Sequence, residues 1–502
     1  MTAPDELKVA TTEEQPQLPG FLRQAIPDSP TAGLSMAAVE SPNGGSVKER
    51  IALHKRFEER LSINPTLTRS AVSYQGNRRA PGFRWMKYKE GFSRELVERL
   101  IADARPRSVL DPFSGIGTTP LIAAGKGLSA TGIEIIPVGV LAGSAIAYAA
   151  NGLQPEVFKE ASAAFLKHVQ SSDEPRREHA FRHVRITEAA FPPETETALA
   201  RAREFISEVD DPGIKTMLDC ACMSVLESVS YTRKDGQYLR WDYRSGRELR
   251  ARVHKGQIQP FPFALDARLS EMAEDLDLLK RWYGKGQPEF ITGSSLESLR
   301  LLPEAYFDMV ITSPPYANRY DYTRTYALEL AWLGYDQDEF NALRQGMLSS
   351  TVENRSKREL LLKEYGGSLL ISLAIGMYEE QGALQEVLTI LKERKSELSN
   401  PHVIRLLEGY FLEMAVIIAE LGRIIRPGGT VIMVNDNVQY HGEEVPVDLI
   451  LSDYAERSGF ICERIWALPR GKGNSSQQMG RFGRRELRKC VYKWVRGYDQ
   501  VG

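Results

Sequence analysis

Apolar residues recur at helical spacing in "SRELVERLI", residues 93 to 101, with a serine before the first turn and an acid inside it, which predicts a capped helix. A short apolar run, "SVL", follows and leads into "DPFSGIGTTPLIAAGKG" and then a second run, "ATGIEI". Strand, glycine turn, helix and strand in this order form a right-handed βαβ unit, the start of a parallel sheet. "PEFITG" and "FDMVIT" predict two further strands. The periodic segment "RLLEGYFLEMAVIIAELGRII" predicts a long helix that stops at Arg426-Pro427-Gly428-Gly429 and returns to the sheet as "TVIMVN". Near the end of the chain, "ICERIWAL" and "RKCVYKW" predict an antiparallel pair.

The same pattern locates the interruptions. Residues 1–48 carry prolines at positions 4, 16, 19, 27, 30 and 42 without sustained periodicity, and are expected to be a disordered arm. Core segments are expected over 49–150, 289–334 and 401–502, with insertions over 151–288 and 335–400. At 502 residues the chain exceeds what one core usually fills, which agrees with that division.

Composition changes this picture little. With 42% hydrophobic residues, 26% charged residues and a net charge of -2, the chain has the make-up of an ordinary globular protein, and charge alone names no partner. The four cysteines suggest neither a disulfide framework nor a zinc site, and the seven histidines show no metal-ligand spacing. No apolar run reaches membrane-spanning length, and the acidic, proline-bearing start lacks the order of a secretory signal. These features predict a cytoplasmic protein without a membrane or metal partner.

Two loops carry candidate chemistry. In "DPFSGIGTT", Gly115 and Gly117 lie between strand and helix, where glycine permits a tight turn and close approach of a ligand to backbone. The spacing is not G-x-G-x-x-G and no P-loop lysine follows, so a pyrophosphate nucleotide is not the first choice. Glu134 closes the next strand, where a carboxylate can accept from both ribose hydroxyls of an adenosine. A purely structural glycine turn is the alternative. In "TSPPY", the prolines end the strand at Thr312 because neither can donate to a ladder. Ser313 and Pro314 can present acceptors to an amino group and Tyr316 a flat face, which suits an exocyclic base amine. An ordinary Pro-Pro turn with a packed tyrosine is the alternative there.

"DPFSGIGTT", "GIEI" and "TSPPY" together resemble the S-adenosylmethionine-dependent DNA amino-methyltransferases, over about residues 83–138 and 289–494. The serine form of the tetrapeptide resembles their cytosine-N4 branch; adenine-N6 members more often carry Asp or Asn there. The resemblance implies a three-layer, Rossmann-like α/β sheet, mostly parallel with an antiparallel C-terminal strand. It implies cofactor binding by Asp111, Phe113, Gly115, Gly117 and Glu134, with Phe92 and Ser93 bordering the methionine end. Ser313, Pro314, Pro315 and Tyr316 would hold the base. Ser294 stands where this family often has an acid near the cofactor adenine. Methylation at cytosine C5 requires a cysteine nucleophile, preceded by proline in that family, and no cysteine here follows a proline. The route left is direct attack by the amine on the sulfonium methyl, with the base rotated out of the duplex.

Two basic stretches are the candidate DNA contacts. Residues 231–255, "YTRKDGQYLRWDYRSGRELRARVHK", hold eight Lys/Arg against three Asp/Glu, interleaved with aromatics. Arg233, Lys234, Arg240, Trp241 and Arg244 are the candidates, and the 151–288 insertion is expected to recognise the target. A solvated strand pair with packed aromatics is the alternative. Residues 470–489 hold seven basic residues against Glu486, with Arg481 and Arg484 as candidates, and Arg319 follows the tetrapeptide. The expected activity is cytosine-N4 methylation of a specific double-stranded DNA sequence, in a restriction or phage-defence setting with a cognate nuclease. Adenine-N6 methylation is the nearest alternative, followed by an RNA guanine enzyme and a non-catalytic DNA-binding protein.

Overall fold

The computed structural model describes residues 41–88, 91–235, 238–247, 252–469, 482 and 487–498. In chain order the strands are β1 (Leu61–Ile63), β2 (Ser108–Asp111), β3 (Ser129–Glu134), β4 (Thr232–Asp235), β5 (Tyr238–Asp242), β6 (Arg252–Val253), β7 (Glu289–Thr292), β8 (Phe307–Thr312), β9 (Ile425–Asp436), β10 (Val438–Tyr440), β11 (Glu443–Val445), β12 (Phe460–Ala467) and β13 (Lys489–Arg496). Eight of them form one sheet in the order β1-β12-β13-β9-β8-β2-β3-β7. Only β13 is reversed, running antiparallel to both β12 and β9. This is the mostly parallel, Rossmann-like α/β sheet that the apolar runs predict.

Alternate residues of the central strands feed two cores, because successive strand side chains point to opposite faces. Val109, Met309 and Ile311 pack on one side with the helices Arg94–Ala104, Thr118–Gly125 and Pro137–Ala150. Leu110, Val310 and Met433 pack on the other with the helices Val403–Ile424 and Val447–Arg457. Both faces are covered, which is why these strands read as unbroken apolar runs. Ser93 caps its helix as expected, its hydroxyl accepting from Leu96 N at 3.2 Å.

Neither insertion is an appendage. In the first, the helix Phe261–Tyr283 packs on Pro137–Ala150 and Thr118–Gly125 and joins the core. In the second, the helix Gly382–Glu393 buries Leu384, Val387 and Leu388 beside Val403–Ile424. β4, β5 and β6 form a separate small sheet.

Two features differ from expectation. Residues 1–40 lie outside the described residues, and residues 41–48 depart from the expectation of a disordered arm over 1–48. Ser41 Oγ donates to Glu443 Oε1 at 2.5 Å, and a helix begins at Lys48. Buried Arg50 bridges Glu386 and Glu443, each at 2.8 Å. Those partners lie hundreds of residues ahead, so local pattern gave no sign of them. β1 is also unforeseen, since three residues pairing with β12 are too short for a period to register. Among the described residues, no helix is long and apolar enough to cross a membrane.

Candidate active site

β2, β3 and β8 end side by side, and their carboxyl ends carry both loops. Buried Asp111 accepts at Oδ1 from Phe113 N at 3.0 Å and from Thr312 Oγ1 at 2.7 Å. The second bond ties the glycine loop to the residue just before the tetrapeptide. Glu134 accepts from Gly115 N through Oε2 and from Ile136 N through Oε1, both at 2.8 Å. Burial pushes the Asp111 carboxyl up to about 6 and that of Glu134 up to about 7.

The loop needs its glycines. Gly115 and Gly117 have φ of +55° and +81°, where a β-carbon is costly. A β-carbon on Gly117 would also stand 2.6 Å from the Phe290 ring.

A cavity of about 340 Å³ opens beside this loop, walled by Asp111, Phe113, Gly115, Phe92, Tyr88 and Ser313 among others. A smaller one of about 50 Å³ lies toward Glu134, Ser294 and Pro315 and shares Tyr88, Phe113, Gly115 and Ser313 with the first. Ser294 Oγ donates to the Gly346 carbonyl at 3.0 Å, and the next residues, Met347 and Leu348, wall the smaller cavity. The second insertion thus closes the side where the sequence puts serine in place of an acid. Ser93 is next to Phe92 in the chain, with its hydroxyl committed to the helix cap.

β8 ends at Thr312, and the tetrapeptide turns into the cavity mouth. Ser313 faces both cavities and Pro315 the smaller, while Pro314 is buried. Tyr316 departs from the expectation of a flat face presented to a ligand. It is buried, lines neither cavity, and its hydroxyl lies 3.2 Å from Ser313 Oγ and 3.5 Å from Lys489 Nζ. Tyr440 Oη donates to the Ala317 carbonyl at 2.5 Å. Buried Asp321 accepts from Arg324 N at 3.2 Å and pairs with Arg344 at 3.1 Å. Tyr88, Thr312, Arg344, Tyr440 and Lys489 escaped the sequence reading. Thr312 had a signal as the strand's last residue, and Lys489 as the end of the basic run 470–489, though there as a DNA contact and not as a partner of Tyr316.

The basic hairpin sorts by strand alternation. Arg233 pairs with Arg240 across β4 and β5 and turns outward, whereas Thr232, Lys234, Leu239 and Trp241 turn inward. Lys234, expected at a phosphate, is buried. Its ammonium lies 2.5 Å from Glu329 Oε1 and 4.8 Å from the Tyr326 ring centre, because a buried carboxylate needs a cation. Trp241 is likewise a core residue, with the Arg247 guanidinium 4.3 Å from its ring centre. Arg244 binds Asp242 and the Gly256 carbonyl, holding the Asp242 carboxyl well below its usual range. Arg319 is half-buried at φ +68°, and its Nε has no hydrogen-bond partner among the described residues. Arg481 and Arg484 lie outside the described residues.

No family model matches the chain, and no solved structure matches it. Among curated proteins it is 42% identical over 462 residues to the Type II methyltransferase M.AvaI of Nostoc sp. (strain PCC 7120), covering 88% of this chain and 92% of that protein; M.AvaI of Anabaena variabilis matches equally. It is 39% identical over 476 residues to the Type II methyltransferase M.BsoBI of Geobacillus stearothermophilus, covering 89% and 92%. With a methyltransferase-type sheet, a glycine loop and a serine-proline-proline-tyrosine loop joined at one edge, and identity spread over nearly the whole length of these relatives, the chain belongs to the Type II methyltransferases.

Proposed function

We propose that this methyltransferase transfers a methyl group from S-adenosylmethionine to the N4 amine of cytosine in double-stranded DNA at a specific sequence. Its setting is the cytoplasm, as the modification half of a restriction or defence system with a cognate nuclease. The observation that carries the reading is the Thr312–Asp111 bond, which sets the tetrapeptide beside the glycine loop with Ser313 facing both cavities.

The residues fit the cofactor. Each Glu134 oxygen accepts one backbone N–H and keeps a lone pair for a ribose hydroxyl. Asp111, Phe113, Phe92 and the Ser114–Ile116 turn wall the larger cavity, where a carboxylate suits the ammonium of the cofactor's methionine end. When bound, the cofactor supplies a sulfonium methyl open to in-line attack by a neutral amine. The chain then has to fix the amine: Ser313 Oγ and the Pro314 carbonyl accept from it, and Pro315 and Tyr316 hold the loop rigid. All four cysteines are buried, with the Cys220 and Cys462 thiols pushed up to about 12, so none is poised as the nucleophile that C5 methylation requires. For DNA, Arg233 and Arg240 support the reading. Arg240 pairs with Asp235 at 3.3 Å, while Arg233, opposite it on the outward face of the hairpin, is exposed and can meet a phosphate. Arg244, Arg319, Arg481 and Arg484 are the further contacts proposed; Lys234 and Trp241 belong to the core beneath the hairpin and are not among them.

The test is to incubate the protein with unmethylated duplex DNA and methyl-labelled S-adenosylmethionine, digest to nucleosides, and identify the labelled one by mass spectrometry. Labelled N4-methylcytidine is expected. N6-methyladenosine would overturn the base choice, and cofactor binding without label on DNA would leave RNA or a non-catalytic role.

A further inference from the structure

Because β13 runs against its neighbours, its first residue arrives at the edge where β8 and β9 end. That residue is Lys489, 173 positions from Tyr316 in the chain. It stands opposite Asp436, the last residue of β9, with its ammonium 3.2 Å from Asp436 Oδ1. The same nitrogen is 3.5 Å from Tyr316 Oη and 5.3 Å from the centre of the ring, so it sits over the hydroxyl end of the tyrosine. Tyr316 Oη lies 3.2 Å from Ser313 Oγ. Four groups therefore form a line from the sheet edge into the cavities that Ser313 walls.

Direction along this line follows from chemistry. An ammonium has donors and no acceptor, so Tyr316 Oη accepts from Lys489. The phenol proton then cannot point at Lys489, and Ser313 Oγ, 3.2 Å away, is placed to accept it. Ser313, accepting there, keeps one lone pair and its own proton for the cavity. A base edge that carries an amine N–H beside an unprotonated ring nitrogen matches that pair. Without the ammonium the two hydroxyls can reverse, Ser313 donating to Tyr316 and losing its donor toward the base.

We propose that Lys489, braced by Asp436, is a positioning residue for methyl transfer, setting the hydrogen-bond direction of the Tyr316–Ser313 pair. The assignment rests on the amine methylation proposed above. It is tested in the full chain with Lys489→Met, Lys489→Arg, Tyr316→Phe and the Tyr316→Phe/Lys489→Met double variant. The measurements are kcat and KM on unmethylated phage DNA, and affinity for S-adenosylhomocysteine. Lys489→Met should lower kcat on the order of tenfold to a hundredfold while both binding constants stay near those of the parent. Lys489→Arg should recover part of the loss. The double variant should be no slower than Tyr316→Phe alone, because Lys489 acts through that hydroxyl. A loss in the double variant equal to the product of the single losses overturns the assignment. So does a defect confined to KM for DNA and sensitive to salt, which marks a phosphate contact. Should Lys489→Met not fold, a fully active Tyr316→Phe overturns it equally. Parent protein that transfers no label to any DNA removes the functional reading itself, a result distinct from an active parent with an indifferent Lys489→Met.

Discussion

Gly115 and Ser313 stand on neighbouring strand ends, yet the loops around them are held in different ways. The glycine loop is held mainly by its own βαβ unit, whose Asp111 and Glu134 accept from its amides, with Thr312 of β8 and Phe290 of β7 adding contacts from outside. The tetrapeptide has two residues without a backbone donor, so its hold comes from elsewhere. Tyr440 reaches it from 123 residues away and Lys489 from 173, while Arg344 and Lys234 grip the segment that follows. A cofactor loop can be closed by local sequence, whereas a loop that must admit a base is braced by what the fold brings to it.

The contrast can be broken or sharpened by experiment. The largest effect is expected from Lys234→Met, which leaves Glu329 charged and buried without its cation. It should cost about 3–5 kcal/mol of stability, read as a lowered Tm, and an unchanged Tm would return Lys234 to the surface. Ser313→Ala should lower kcat by about 10²–10³-fold with cofactor affinity intact, since only the second loop is touched. An equal loss of cofactor affinity would show that the two loops are not separable. Gly117→Ala does the reverse. Its positive φ and the nearby Phe290 ring should cost about 2 kcal/mol and weaken cofactor binding, measured by titration, more than kcat.

The smallest effect is a pH dependence. Burial raises the Glu134 carboxyl from its ordinary 4.5 to about 7, so binding that uses the ionised group should strengthen as pH rises through about 7, by at most about tenfold per unit. Linkage makes the stability of the empty protein run the other way. The folded state holds its proton longer than the unfolded one, so this carboxyl's contribution is lost as pH climbs from 4.5 toward 7. Glu134→Gln should flatten both profiles.

Much of the fold was legible because its signals are local. Strand runs such as "FDMVIT", the serine cap at Ser93 and the glycine turn each follow from residues a few positions apart. The basic run 231–255 shows the limit. Its charge marks both Arg233 and Lys234 as candidate DNA contacts, but pairing of β4 with β5 sends Lys234 inward and Arg233 outward, and nothing nearby in sequence names Glu329 as the buried partner. The ordered residues 41–48 were missed for the same reason, their partners being Glu386 and Glu443.

By itself the sequence determined the order of seven of the eight strands of the main sheet, the turn that only glycine can make, the strand end that two prolines impose, and the carboxylates at Asp111 and Glu134. Only the tertiary structure decided which distant side chains complete the site. Reversing one strand puts Lys489 beside Tyr316, and the second insertion delivers Arg344 to Asp321 and Met347 to the cavity wall. The physical reason is reach: backbone preference and hydrophobic period act over a few residues, whereas a buried charge or hydroxyl is satisfied by whatever partner the packed sheet brings within about 3 Å of it.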